Sequence, residues 1–182
     1  GLLQQMIDAI AQIMPKIDSG YHLSGLYSIL GVLYRLSGQI HEAIDCHQKS
    51  GALAAQQLSE IEITNSANSH NLAFLNLKNW EQHALLNTGI CQIELWELEK
   101  ALAVFEELLT HKHDELIAEN LEDLYNPSVD VLAAFLYSYL GDTAKASELV
   151  ERFDLAMQLQ SLSITGHRLL FLGLTYKNLG KT

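Results

Sequence analysis

The chain has 182 residues, enough for one domain with a sizeable core, and 48% of them are hydrophobic. Its formal net charge of −11 has the wrong sign for a nucleic-acid-binding protein, and no apolar run approaches the roughly 18 residues of a membrane span. Its two prolines suit continuous helices, and its two lone cysteines favour a reducing compartment, which we expect to be the cytoplasm.

The N-terminal part of the sequence predicts one amphipathic helix and then a helical hairpin. Apolar residues recur at helical spacing over residues 2–14, and Pro15 ends that helix. The hairpin has predicted helices near residues 23–36 and 40–57. Gly38 marks its turn, because glycine closes a helix C-terminus in the left-handed conformation without a Cβ penalty.

The next part of the chain is the least regular. Residues 65–71 are rich in Asn and Ser, which are poor helix formers, so we expect an irregular segment there. Lengthened helices or a loop would absorb the extra residues, because a whole additional helix would reverse the alternation of helix directions. The remaining predicted helices cover residues 78–95, 98–124 with a break around 110–113, 127–140 after an Asn126 cap, 143–159, and 163–179.

Small and aromatic residues recur along the chain at matching offsets. The pattern is a small residue, then an aromatic three residues later, a turn residue at seven, a small residue at twelve and a packing residue at sixteen. It stands as Gly31, Tyr34, Gly38, Ala43 and His47; as Ala134, Tyr137, Gly141, Ala146 and Val150; as Gly173, Tyr176 and Gly180; and more weakly as Gly89, Gln92, Trp96, Ala101 and Phe105. Such periodicity is typical of stacked two-helix repeats.

These residues resemble the tetratricopeptide repeat (TPR). Leu30-Gly31-x-x-Tyr34 and Leu172-Gly173-x-x-Tyr176 match its first helix, and Ala101-x-x-x-Phe105 matches its second. The resemblance implies an all-α fold in which antiparallel helical hairpins stack as a right-handed superhelix. It predicts a single domain over residues 1–182, with units near 24–57, 80–110, 127–159 and an incomplete 163–182. An ordinary helical bundle with coincidental glycines is the alternative.

The resemblance also implies a concave groove that holds a peptide or a partner helix. The first helix of each hairpin would line this groove, and its mostly apolar surface favours an apolar helix or an extended hydrophobic peptide over a carboxylate clamp. Alternatively, the superhelix itself covers these residues. The implied partner-binding residues are Ser28, Val32, Arg35, Leu86, Ile90, Ile93, Val131, Phe135, Ser138, Leu170, Leu174 and Lys177.

Several short stretches resemble catalytic, phosphate-binding or metal-binding motifs, but each lacks a residue or a geometry that the site requires. The C-terminal TYKNLGKT ends like a phosphate-binding loop, but Thr175 stands where that motif needs glycine. His111 and His113 are alternate residues of a predicted helix and point about 200° apart, so they do not easily share one metal ion. No nucleophile and base converge in the sequence. We therefore expect no enzyme activity, no cofactor and no metal.

The expected function is protein-protein interaction, as a scaffold for a protein, a peptide or another domain of the same chain. The alternative is a regulatory or sensor segment of a larger signalling ATPase, cyclase or kinase. The last predicted helix carries apolar Leu169 and Leu172 where a second helix of its hairpin would pack. We therefore expect the natural protein to continue past Thr182, and this end to be covered by a neighbouring segment or by self-association into a homodimer.

Overall fold

A computed structural model describes residues 1–63, 72–118, 127–160 and 167–181, and all regular structure within these ranges is helical. The helices fall into two compact units, Gly1–Trp96 and Glu97–Thr182. The predicted all-α class is confirmed, whereas the single repeat domain stays a prediction. None of the described helices is at once long and apolar enough to cross a membrane. They are α1 (Leu2–Ile13), α2 (Gly20–Leu36), α3 (Ile40–Ile63), α4 (Leu72–Glu94), α5 (Leu98–Ala118), α6 (Pro127–Leu140), α7 (Thr143–Gln160) and α8 (His167–Asn178), with a 3-10 turn at Met14–Lys16.

In the first unit each helix packs against the next, and α4 also contacts α2. The amphipathic α1 buries Ile7 in a cluster with Leu30 of α2, because its apolar residues form one stripe along the helix. The second half of α3 packs on α4 through another cluster, formed by Ala54, Leu58 and Leu77. Helices α2, α3 and α4 therefore all touch one another.

Glycines of α2 lie where this helix approaches its neighbours. A Cβ atom on Gly31 would come within 2.5 Å of the His47 ring in α3, a distance that real Cβ atoms essentially never show. The predicted crossing at Gly31 is therefore confirmed, since only glycine leaves room for the ring. A Cβ atom on Gly25 would lie 3.1 Å from Trp80 of α4. The close packing of α2 thus depends on these small residues.

Helices α2 and α4 run in the same direction. Near their N-terminal ends, Asn76 donates a hydrogen bond to the Tyr21 hydroxyl at 2.9 Å. Near their C-terminal ends, Arg35 and Glu94 form an ion pair at 2.6 Å. These contacts join matching ends of the two helices, which are the first helices of consecutive predicted hairpins.

The second unit is built around α6, which α5, α7 and α8 contact. Every residue from 128 to 138 is buried, because α6 is apolar on almost all sides. Asp130 is fully buried and accepts a hydrogen bond from Nε of Arg152 in α7 at 3.2 Å. That pairing compensates a charge that would otherwise be costly in the core.

Helix α8 lies parallel to α6 within this unit. Phe135 of α6 packs on Phe171 of α8 with ring centroids 4.8 Å apart. Further along both helices, the Asn178 amide donates to the Ser138 hydroxyl at 3.1 Å. The pairing therefore advances in the same direction along α6 and α8, as it does along α2 and α4 in the first unit.

The four predicted turn positions all have a left-handed backbone. After each of the three turn glycines, the next backbone N–H bonds at 2.9 Å to the carbonyl of the aromatic residue four positions before the glycine, which satisfies an orphan carbonyl at the helix end. The predicted turns are confirmed, including the one where tryptophan replaces glycine. The φ angles are 81° at Gly38, 98° at Gly141, 68° at Gly180 and 61° at Trp96.

Several helix limits differ from those predicted. Helix α3 continues to Ile63 and α4 begins at Leu72, so longer helices absorb extra residues of the irregular region, as expected. The break predicted around residues 110–113 is wrong, because α5 is continuous and the Thr110 hydroxyl donates to the Glu106 carbonyl within the helix at 3.0 Å. The predicted irregular segment, the Asn126 cap and the predicted start of the last helix lie in residues 64–71, 119–126 and 161–166, outside the described residues.

Replacement of Trp96 by glycine is expected to stabilise the protein. A left-handed conformation costs a residue with a Cβ atom about 1–2 kcal/mol, and the Trp96 side chain is 60% exposed, so it gains little from burial. We expect the free energy of unfolding in urea to rise by about 1 kcal/mol in Trp96→Gly.

The matched control is Gly141→Ala, whose new Cβ atom would meet nothing within 4 Å. It should lower the free energy of unfolding by about 1 kcal/mol through backbone strain alone. A loss of stability in Trp96→Gly would show that contacts of the indole ring outweigh the strain of its backbone.

Candidate interaction surface on the first unit

The structure places the twelve predicted partner-binding residues in unequal environments. In the first unit Val32 is 40% exposed, while Ser28, Arg35, Leu86 and Ile90 are half-buried and Ile93 is buried. In the second unit Leu170 is 61% exposed, Lys177 is exposed and Leu174 is half-buried, while Val131, Phe135 and Ser138 are buried. Exposed members therefore lie on α2 and α8.

The three predicted residues of α6 are inaccessible in this conformation. Val131 is 1% exposed and Phe135 is 4% exposed, with Phe171 of α8 against the Phe135 ring. The sequence signal is the absence of a polar face on α6, which is typical of a helix enclosed on all sides. A role for these residues in binding a partner stays a prediction.

Helix α2 carries a solvent-exposed apolar stripe, which we define as Ile29, Val32 and Leu36. These side chains are 50%, 40% and 64% exposed. Their spacing of three and four residues places them on one face of the helix. Only Val32 is among the partner-binding residues predicted from the sequence. The same spacing could have indicated the other two, but periodicity alone does not distinguish a buried face from an exposed one.

The stripe lies on the side of α2 that faces α4. Gly25 precedes Ile29 by four residues and so shares its face, and at Gly25 the Trp80 ring of α4 covers the helix. The stripe follows, and it remains exposed up to the C-terminal end of α2. The α2 face thus changes from covered to open along its length.

The open end is bridged by the ion pair between Arg35 and Glu94. Nε and Nη2 of Arg35 donate to the same carboxylate oxygen of Glu94, at 2.8 and 2.6 Å. The two side chains are 31% and 37% exposed, so solvent screens the pair and it contributes modestly to stability. Its effect is to hold a positive and a negative group beside the apolar stripe.

Two titratable groups in the electrostatic surroundings of Arg35 are kept neutral. Burial, with a smaller effect from the positive charge of Arg35, lowers the pKa of His47 to about 4. The His47 side chain is fully buried, and neither ring nitrogen has a hydrogen-bond partner among the described residues. Burial also raises the pKa of the Cys91 thiol to about 11, against an opposing effect of Arg35. A neutral imidazole and a protonated thiol fill space here and offer no activated nucleophile.

The arrangement therefore supplies a shaped apolar surface with paired charges at its edge. Within the part of the chain that the structure describes, no group of three or more His, Cys, Asp or Glu residues is placed to hold a metal ion. The side chains of His111 and His113 lie outside that part. Comparison of the chain with protein-family models, with curated proteins and with solved structures found no match.

The stability of the protein is expected to fall as the pH is lowered from 6.5 to about 4. The pKa of His47 is about 4 in the folded chain against 6.5 for an ordinary histidine, so the unfolded chain binds the proton more readily within this window. The contribution of neutral His47 is fully present above pH 6.5 and is lost as the pH falls through the window, by about 3 kcal/mol in total.

Urea unfolding across this pH range measures the effect. The variant His47→Leu should flatten the dependence of stability on pH, whereas His41→Leu, which replaces an exposed histidine of the same helix, should leave it unchanged. If the free energy of unfolding of His47→Leu depends on pH as steeply as that of the unmodified chain, other groups cause the pH dependence.

Proposed function

We propose that this chain is a non-enzymatic protein-interaction module of the TPR type, and that the apolar stripe of α2 contacts an apolar peptide or partner helix. The observation that carries the proposal is the exposure of Ile29, Val32 and Leu36 on a single helix face. Exposed apolar side chains grouped in this way are typical of protein-interaction sites.

Three features support a TPR-like arrangement of the hairpins. The turn residues stand at the same offset in four places and all have positive φ. Within the first unit, α2 and α4 are parallel and in contact, as first helices of successive hairpins would be. Within the second unit, α6 and α8 have the same relation. The common turn offset was expected from the repeated sequence pattern.

The size of the stripe limits what it binds. From Ile29 to Leu36 it covers two turns of α2, about 10 Å along the helix axis. Full burial of one such side chain stabilises by about 1.5–3 kcal/mol, and roughly half of each side chain is already covered, so three of them favour a weak, reversible complex. A partner that presents two or three apolar side chains at matching spacing fits this surface.

The ion pair beside the stripe disfavours binding of a charged peptide terminus. Arg35 already donates two hydrogen bonds to Glu94, so its guanidinium is engaged by an internal carboxylate. A free peptide carboxylate would have to displace Glu94 to bind there. The surface therefore selects for apolar side chains ahead of a charged terminus.

Peptide selection against the whole chain tests the proposal. A displayed library of helical and extended peptides should yield binders rich in Leu, Ile and Phe. Val32→Asp should weaken their binding at least about tenfold, because a carboxylate at the centre of an apolar contact loses its hydration. Val32 is preferable to Phe135 for this test, because a charge at the buried Phe135 would disrupt the α6 core.

Leu155→Asp provides the matched control, since Leu155 is 56% exposed on α7 of the second unit. It should leave binding unchanged, and circular dichroism should show equal helicity for all variants. Selected peptides that bind Val32→Asp and Leu36→Asp as tightly as the unmodified chain would refute the assignment of this surface.

A further inference from the structure

The crossing of α2 and α3 is filled by an imidazole ring that has no polar partner. The His47 ring lies directly on Gly31, where a Cβ atom would be 2.5 Å from it. The side chain is fully buried, and neither ring nitrogen has a hydrogen-bond partner among the described residues. Burial of an unpaired polar group is costly, and burial of a charged one is far more costly. The closed crossing therefore requires the neutral ring.

The helices packed on α3 offer the ring a like charge. From α2, the positive charge of Arg35 adds to the effect of burial in lowering the His47 pKa to about 4. From α4, the Cys91 thiol stays neutral because burial raises its pKa to about 11, and the Glu94 carboxylate is already engaged by Arg35. Asp45 of α3 itself is exposed and lies two residues before the ring, on another side of the helix. A proton on His47 would thus meet a positive charge and no acceptor.

The contacts that follow the crossing along α3 do not involve the ring. The hydroxyls of Ser24 and Ser50 each donate to the backbone carbonyl of the other residue at 2.8 Å. Further along α3, Ala54 and Leu58 pack on α4. None of these four residues titrates, so a charge on His47 leaves these contacts intact. The crossing can therefore open at one end while the second half of α3 stays in place.

We propose that protonation of His47 opens the α2–α3 crossing at Gly31, which makes this crossing an acid-sensitive switch in the first unit. The imidazolium leaves the crossing for solvent, where water accepts hydrogen bonds from both N–H groups and screens the charge of Arg35. The first half of α3 then separates from the C-terminal half of α2. This opening is a property of the first unit, and it does not require the apolar stripe to bind a partner.

Cys46 reports whether the crossing is open. It precedes His47 on α3, is only 7% exposed, and packs in a cluster with Leu30 and Leu33 of α2. Separation of the first half of α3 from α2 removes this cover and exposes the thiol. Closure protects it. The rate at which a reagent labels Cys46 therefore follows the population of the open form.

Labelling with a pyridyl disulfide, which reacts with thiols at acid pH, measures the opening. Cys91→Ala leaves Cys46 as the one cysteine of the sequence. Relative to a small thiol at the same pH, the labelling rate should rise about 20-fold from pH 7 to pH 5. The open form binds the proton with an ordinary histidine pKa of 6.5 and the closed form with a pKa of about 4, and these two values set the rise of about 20-fold.

A thiol elsewhere on α3 distinguishes this opening from unfolding of the whole unit. Ala54→Cys, combined with Cys46→Ala and Cys91→Ala, places a thiol at a fully buried position in the second half of α3. At pH 5 this thiol should be labelled at least about tenfold more slowly than Cys46, because local opening costs less free energy than unfolding. Equal labelling rates at the two positions would overturn the proposal.

Variants of the crossing identify the group that drives the opening. In His47→Leu the labelling of Cys46 should no longer rise with acid, because leucine does not titrate. The matched control His41→Leu, at an exposed position of the same helix, should keep the rise. Gly31→Ala should speed labelling already at pH 7, because its Cβ atom displaces the ring. A rise with acid that persists in His47→Leu, or that is absent from the parent chain, would show that the proposal is wrong.

Discussion

The close crossing of α2 and α3 at Gly31 is the constraint on which the first unit depends. The His47 ring fills the space that a side chain at position 31 would need, and it is held there without a hydrogen bond from any described residue. Beside this crossing, the hydroxyls of Ser24 and Ser50 each donate to the backbone carbonyl of the other residue at 2.8 Å. These reciprocal bonds fix the register of the two helices, so the face of α2 that remains exposed is also fixed.

The second unit is held together by polar contacts as well as apolar packing. The hydroxyl of Tyr137 donates to Glu106 of α5 at 2.5 Å, and the hydroxyl of Tyr176 donates to Asp154 of α7 at 3.0 Å. Burial and these bonds raise the pKa of both tyrosines, that of Tyr176 to about 12, so both remain donors. The carbonyls of the same two tyrosines accept the bonds that close their helices. Each of these two tyrosines therefore helps to end its helix through its carbonyl and ties it to another helix through its hydroxyl.

The proposed surface of α2 lies beside charges that are already paired within the chain. Because Arg35 and Glu94 neutralise each other, we expect the proposed binding to the apolar stripe to depend mainly on shape. Among the described residues of the first unit, the strongly shifted groups His47 and Cys91 are neutral and buried.

The sequence by itself determined the helical class, most helix limits and the position of each turn. These properties are local: glycine at positions 38, 141 and 180 permits a left-handed backbone, and Pro127 begins α6 because its fixed φ suits a first turn. Even Trp96 could be placed at a turn, since the repeated offset indicated the conformation that its own side chain disfavours. Gly31 could be assigned to a helix crossing because small residues recur at matching positions of the pattern, where two helices need room to approach each other.

Only the tertiary structure decided which apolar faces are covered. Phe135 and Val32 occupy equivalent positions in the repeated pattern, each directly after its small residue. Phe135 is buried, whereas Val32 is exposed. Periodicity indicates that a face is apolar, but cover depends on helices distant in sequence, such as α8 beside Phe135 and α4 beside Gly25. The neutral state of His47 is likewise a tertiary property, because desolvation by surrounding helices lowers its pKa.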